Sequence, residues 1–166
     1  RSYSVTGVQT CALPISLADQ IIQQLKQAPE LYYRLILVVA PAGAEKTKAL
    51  HEAGKQLGAP IVNVNLELSR RMLDLTSRQR MLQLPKVLRE IVDGVQGDVV
   101  LLDNIEILFD VTLKQDPLRL LQSLSRDKTI VVAWSSSIDG DRLTYATPDH
   151  VEYRQYPLRD FLLVNP

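Results

Sequence analysis

The stretch Ala40-Pro41-Ala42-Gly43-Ala44-Glu45-Lys46-Thr47 sets a lysine and a hydroxyl behind a run of small residues. That spacing suits the binding of a phosphate chain, for which the pattern is G-x-x-x-x-G-K-[ST]. In such a loop successive backbone N–H groups and the N-terminus of the following helix surround the phosphates. Pro41, Ala42, Gly43, Ala44 and Glu45 would supply the cradle, Lys46 a mobile positive charge near the β and γ positions, and the Thr47 hydroxyl a ligand for Mg²⁺. Two positions depart from the pattern. Ala40 replaces the first glycine, a mild change. Glu45 replaces the second, and brings bulk and like charge towards the phosphates, with a backbone penalty as well if a left-handed conformation is required there. The competing reading is an ordinary turn between a strand and a helix.

A second motif lies downstream, Val99-Val100-Leu101-Leu102-Asp103-Asn104-Ile105-Glu106. Four apolar residues ending in an acid resemble a Walker B strand, with Asp103 placed to hold the metal's water shell. Many ATPases follow that Asp with a catalytic Glu. Here Asn104 intervenes, and the next acid is Glu106, which either polarises the attacking water or is a solvated residue opening a helix. Ser135 or Ser136, after a further apolar run, is placed to touch the γ-phosphate or the water, or else belongs to a serine-rich turn. Arg70, Arg71 and Arg142 are the candidates for an arginine finger, against a reading as solvated surface residues. His51 and His150 are isolated and give no metal-cluster spacing.

The elements needed to position these residues can be read from hydrophobic spacing. Leu17–Ala28 has helical periodicity and stops at Pro29; Leu35–Val39 is a strand buried on both faces; Glu45–Leu57 is a helix stopped by Gly58. Ile61–Val64, Val99–Leu102, Ile130–Ala133 and Phe161–Val164 are further strands. Pro85 is expected in the first turn of a helix running to Gly94, and Asp116-Pro117 opens another that ends near Ser125. Ser69–Gln83 is expected to be a polar helix and loop on the surface. Alternating strands and helices imply an α/β fold. The expectation is one P-loop NTPase domain over residues 17–166, with a mainly parallel five-stranded sheet ordered 5-1-4-3-2, flanked by helices and without a C-terminal lid.

The chain has 166 residues, 46% hydrophobic and 23% charged, an ordinary globular composition. Nineteen basic residues balance 19 acidic ones, so bulk charge gives no reason to expect nucleic-acid binding. No apolar run reaches the roughly 18 residues of a membrane span. Val5–Ile15 reads VTGVQTCALPI, which is also the in-frame translation of a widely used sequencing-library adapter. Residues 1–16 are therefore expected to be foreign to the domain. The one cysteine, Cys11, lies in that string, which leaves no thiol chemistry to argue from.

With these motifs placed, residues 17–166 resemble the BrxF family, the small P-loop component of BREX phage-exclusion systems. The resemblance rests on Leu35–Ala44, on Asn63-Val64-Asn65-Leu66-Glu67-Leu68-Ser69, on Leu101–Glu106, and on the tail from Leu143-Thr144-Tyr145-Ala146 through His150, Glu152-Tyr153-Arg154 and Phe161. It implies a cytoplasmic ATP-binding subunit using ATP and Mg²⁺. It would act beside a methyltransferase, a large ATPase, a helicase and a phosphatase-like protein, as a possible oligomer. Nucleic acid would be reached only through the complex, and no membrane is involved. Two functions remain open: an Mg-dependent ATPase, and a catalytically impaired nucleotide-binding or scaffold module. Lys46, Thr47 and Asp103 favour the first; Glu45 and Asn104 favour the second.

Overall fold

The computed structural model describes residues 15–166. The expectation for residues 1–14 falls outside that range. Ser16 lies inside it and has a structural role: its Oγ accepts from the Asp19 N–H at 3.1 Å and caps helix α1, Leu17–Leu25. Such a cap is worth about 1 kcal/mol.

Strand β1 (Leu35–Ala40) is buried along its whole length. Its side chains alternate between two cores: Leu35, Leu37 and Val39 join one cluster, Ile36 and Val38 the other. A strand covered on both faces must be apolar at every position, hence the unbroken run in the sequence. Helix α2 (Ala44–Leu57) follows and ends at Gly58, whose φ of 63° supplies the left-handed cap. Strand β2 is shorter than its apolar run, Ile61–Asn63. The Asn63 carboxamide accepts from the Leu66 N–H at 3.0 Å and turns Val64 into helix α3, Val64–Arg71.

Helix α4 (Ser77–Asp93) corrects the placement of Pro85. A capping box of Thr76 and Gln79 starts the helix two turns earlier, so the proline lies in its interior. An interior proline leaves the carbonyl four residues back without its partner, and can cost about 3 kcal/mol or more. Here that carbonyl belongs to Met81, and the Gln115 side chain donates to it at 2.8 Å. A long-range contact thus replaces the missing helical bond.

Strand β3 (Val99–Asp103), helix α5 (Pro117–Leu124, capped by Asp116) and strand β4 (Thr129–Ser135) complete the alternation. The chain then forms a small antiparallel sheet, β5 (Ile138–Asp139), β6 (Arg142–Tyr145) and β7 (Arg154–Pro157), absent from the sequence reading. Strand β8 (Leu162–Val164) returns to the main sheet. The main sheet runs β2-β3-β4-β1-β8 with every pair parallel. Counting its five strands in chain order gives the expected 5-1-4-3-2 arrangement. The fold is a mixed α/β fold with helices flanking a parallel sheet, consistent with a single P-loop NTPase domain. The small sheet is tied on through Trp134 near the end of β4. Its indole N–H donates to the Thr144 carbonyl at 2.8 Å, and its ring meets Phe109, Tyr145 and Tyr156 edge to face. Among the described residues no helix is long and apolar enough to cross a membrane.

Candidate phosphate-binding site

β1, β3 and β4 end side by side, and the residues at their carboxyl ends open onto one cleft of about 510 Å³. Ala42, Gly43, Lys46 and Thr47 line it from the loop, and Asp103, Asn104 and Glu106 from the end of β3. Ser135 lines it from β4. The carboxyl ends of strands are where open parallel sheets bind ligands.

Lys46 is 3% exposed, yet no carboxylate lies within 4.0 Å of its ammonium among the described residues. Its Nζ donates instead to the carbonyls of Ala40 at 3.1 Å and Pro41 at 2.6 Å. Desolvation lowers its pKa; the charges of Asp103, Glu106 and Glu45 oppose that shift in part. The outcome is a buried cation fixed by two neutral acceptors, with a third N–H to spare. An anion in the cleft would relieve its desolvation cost.

The loop needs a glycine at one position. Gly43, the N-cap of α2, has φ 152° and ψ 176°. A Cβ there would meet nothing within 4 Å, so the backbone conformation and not space makes the demand. Glu45, by contrast, sits in the first helical turn, is exposed, and is not among the positive-φ residues. The backbone penalty considered for Glu45 therefore does not arise, and its charge and bulk remain. Pro41 contributes its carbonyl to Lys46. Ala44 and Glu45 open α2 without lining the cleft.

The Thr47 hydroxyl donates to Asp103 Oδ2 at 2.6 Å, and Asp103 Oδ1 accepts the Asn104 N–H at 2.9 Å. A hydroxyl and one carboxylate in contact are hard oxygen donors of the kind Mg²⁺ uses together with substrate phosphates and water. No group of three or more His, Cys, Asp or Glu able to cage a metal occurs among the described residues, so a cation here would depend on such outside ligands. The donor set fits Mg²⁺.

Glu106 opens a short 3-10 turn, Glu106–Phe109. Asn65 of α3 holds this segment at three points. Its backbone N–H donates to the Asn104 carbonyl at 2.9 Å, its Oδ1 accepts from the Ile107 N–H at 2.8 Å, and its Nδ2 lies 3.4 Å from Glu106 Oε1. Ser136 is occupied elsewhere: its N–H donates to the Ala40 carbonyl at 3.0 Å and its hydroxyl pairs with Thr144 Oγ1 at 3.0 Å. Ser135 is the serine that lines the cleft. Arg70 and Arg71 pair with Glu67 on α3, and neither they nor Arg142 line the cleft. His51 is exposed on α2, away from it.

The fourth wall was not legible in the sequence. Tyr145, Ala146, His150 and Glu152, from β6 and the loop to β7, face the loop residues across the cleft. Tyr145 stacks on Phe109 at 3.5 Å and 6°. Burial, followed by the charges of Glu106 and Glu152, pushes its phenol up to about 12, so it remains a proton donor at neutral pH. His150 Nδ1 accepts the Glu152 N–H at 3.0 Å, which leaves the proton of the neutral ring on Nε2.

No protein-family model matches the chain, and no curated protein does. Among solved structures it is similar to AMPPCP-bound DnaA from Aquifex aeolicus: TM-score 0.44, 19% identity, covering 75% of this chain and 40% of that one. It is also similar to the replication initiator DnaA bound to AMPPCP and single-stranded DNA: TM-score 0.45, 17% identity, covering 77% of this chain and 41% of that one. The chain thus spans about two fifths of each.

Proposed function

We propose that the chain binds Mg-ATP in this cleft and hydrolyses it, as the ATP-binding subunit of a bacterial antiphage system of the BREX type. The observation that carries the ATP reading is the convergence of an unneutralised, buried Lys46 with a Thr47–Asp103 pair at 2.6 Å, at the carboxyl ends of β1 and β3. The backbone that follows Gly43 would hold the phosphates, and Lys46 would donate to their β and γ oxygens. Mg²⁺, held by Thr47 and Asp103, would supply charge neutralisation at those oxygens. Glu106, which Asn65 contacts, would polarise a water, and Ser135 would donate to the terminal phosphate. The antiphage assignment rests on the Asn63–Ser69 and Leu143–Phe161 segments that resemble the BrxF family. Its partners would be the other subunits of that system, in the cytoplasm.

Asn104 favours a second reading, a nucleotide-binding module without turnover. It stands where many ATPases carry the catalytic acid, exposed and at φ 53°. ATP turnover by the wild type and by Glu106→Gln separates the two. If the chain is an ATPase, Glu106→Gln binds ATP as before and loses hydrolysis. A wild type that binds ATP and never turns it over, alone or with its genomic neighbours, is the module.

A further inference from the structure

A second concavity, of about 570 Å³, lies at the other end of the main sheet. Tyr33 on its wall precedes β1, and Asp160 precedes β8, whereas the phosphate loop follows β1. The six residues of β1 put about 20 Å between the two sites.

One wall comes from α5 and the turn after it. Arg119, Gln122 and Ser123 share a face of the helix at i, i+3 and i+4 with Leu118 beneath them, and Arg126 extends the wall from the turn that follows, while Leu121 and Leu124 anchor α5 in the core. Arg159 faces them from the β7–β8 connection. No carboxylate lies within 4.0 Å of Arg119, Arg126 or Arg159 among the described residues. Asp127, next to Arg126, is held by Arg89 at 2.8 Å, and Asp160 is the one acid on the wall. In a chain with 19 basic and 19 acidic residues, three guanidiniums around one acid are a local excess of positive charge. Aromatic surface adjoins it. The Arg126 guanidinium lies 4.8 Å from the centre of the Tyr32 ring, which is 65% exposed and meets Tyr33 edge-on at 4.8 Å. The Arg126 carbonyl accepts from Arg34 at 2.7 Å, which fixes the turn that carries it.

We propose that this trough is a binding site for single-stranded nucleic acid, with the arginines on successive phosphates and a base against Tyr32. Guanidinium forks match phosphate oxygens, and an exposed tyrosine ring accepts an unpaired base, which a duplex keeps inside its own stack. The site is independent of the ATP cleft and does not rest on the proposed function.

The test is fluorescence anisotropy of the full chain with a labelled oligothymidine of about 12 nucleotides, a length within the range of one binding module. Three phosphate contacts predict a log–log salt slope near −2, so that affinity falls about 20-fold between 50 and 200 mM salt. Arg126→Ala and Arg159→Ala should each reduce that slope by about 0.7. Tyr32→Ala should weaken binding with the slope unchanged, and Lys86→Ala, on exposed α4 surface, should do nothing. All four positions are at the surface, so circular dichroism should be unaltered. Absence of binding at low salt overturns the proposal, as does binding indifferent to both arginine changes. Equal affinity for a duplex or for polyglutamate, or displacement by inorganic phosphate alone, would also overturn it, by assigning the trough to a shape-blind, peptide or small-anion ligand.

Discussion

Glu45 is the residue whose replacement says most about the phosphate loop. Its carboxylate stands immediately before Lys46, at the helix N-terminus expected to meet the phosphates. Two unit charges about 4 Å apart at an effective dielectric near 20 repel by about 4 kcal/mol. Glu45 is exposed and does not line the cleft, so solvent and salt screen most of this. A residue of about 1.4 kcal/mol is reasonable, or roughly tenfold in ATP affinity. The backbone contributes no further penalty, because α2 already includes Glu45 and the positive φ falls at Gly43. Glu45→Gln should therefore tighten Mg-ATP binding about tenfold, and Glu45→Gly should do no better. The apo protein should respond in the opposite sense, since a carboxylate in a first helical turn stabilises the helix by about 0.3–1 kcal/mol. Isothermal calorimetry at low and high salt, with a urea titration of each variant, reads both effects. If Gly restores affinity and Gln does not, charge is the wrong cause. If neither does, the loop accommodates Glu45 and the charge argument fails.

Other changes follow from the same contacts. Gln115→Leu leaves the Met81 and Leu113 carbonyls without their donor, and should cost about 1–2 kcal/mol by urea denaturation; a loss below about 0.5 would show that Pro85 needs no compensation. Asn65→Ala should lower ATP turnover about tenfold with KM unchanged, because it frees the Glu106 segment; a change confined to KM would place Asn65 in binding instead. Burial holds the folded pKa of Lys46 below its unfolded value, so the unfolded chain binds more protons between the two. Apo stability should therefore rise with pH from the folded pKa up to about 10.5 relative to Lys46→Met. A flat difference curve over that range would mean the ammonium is not desolvated.

The main sheet was legible because its chemistry repeats. Each of its strands contains an apolar run, and several helix boundaries carry a stop or a cap, as Gly58 and Gly94 do at helix ends and Asp116 at a helix start. Strand order followed once the phosphate loop and the Asp103 strand were recognised. Pro85 misled, because a proline at a helix start and one rescued by a side chain distant in sequence read alike locally. The small sheet escaped because its strands are two to four residues long, partly exposed, and held by Trp134 and Thr144 rather than by an apolar period. His150 and Glu152 were missed with it, since only that sheet brings them opposite Lys46 and Thr47. Ser135 and Ser136 were equivalent in the sequence. The hairpin separates them by engaging Ser136.

The central claim is that Lys46, Thr47 and Asp103 form a Mg-ATP site. Calorimetric titration of the chain with ATP, with and without Mg²⁺, alongside Lys46→Ala, tests it directly. The account predicts Mg-dependent binding, weakened at least tenfold by Lys46→Ala, the loss of a charge-assisted contact of about 1.5–3 kcal/mol. Equal ATP affinity for wild type and Lys46→Ala would contradict it.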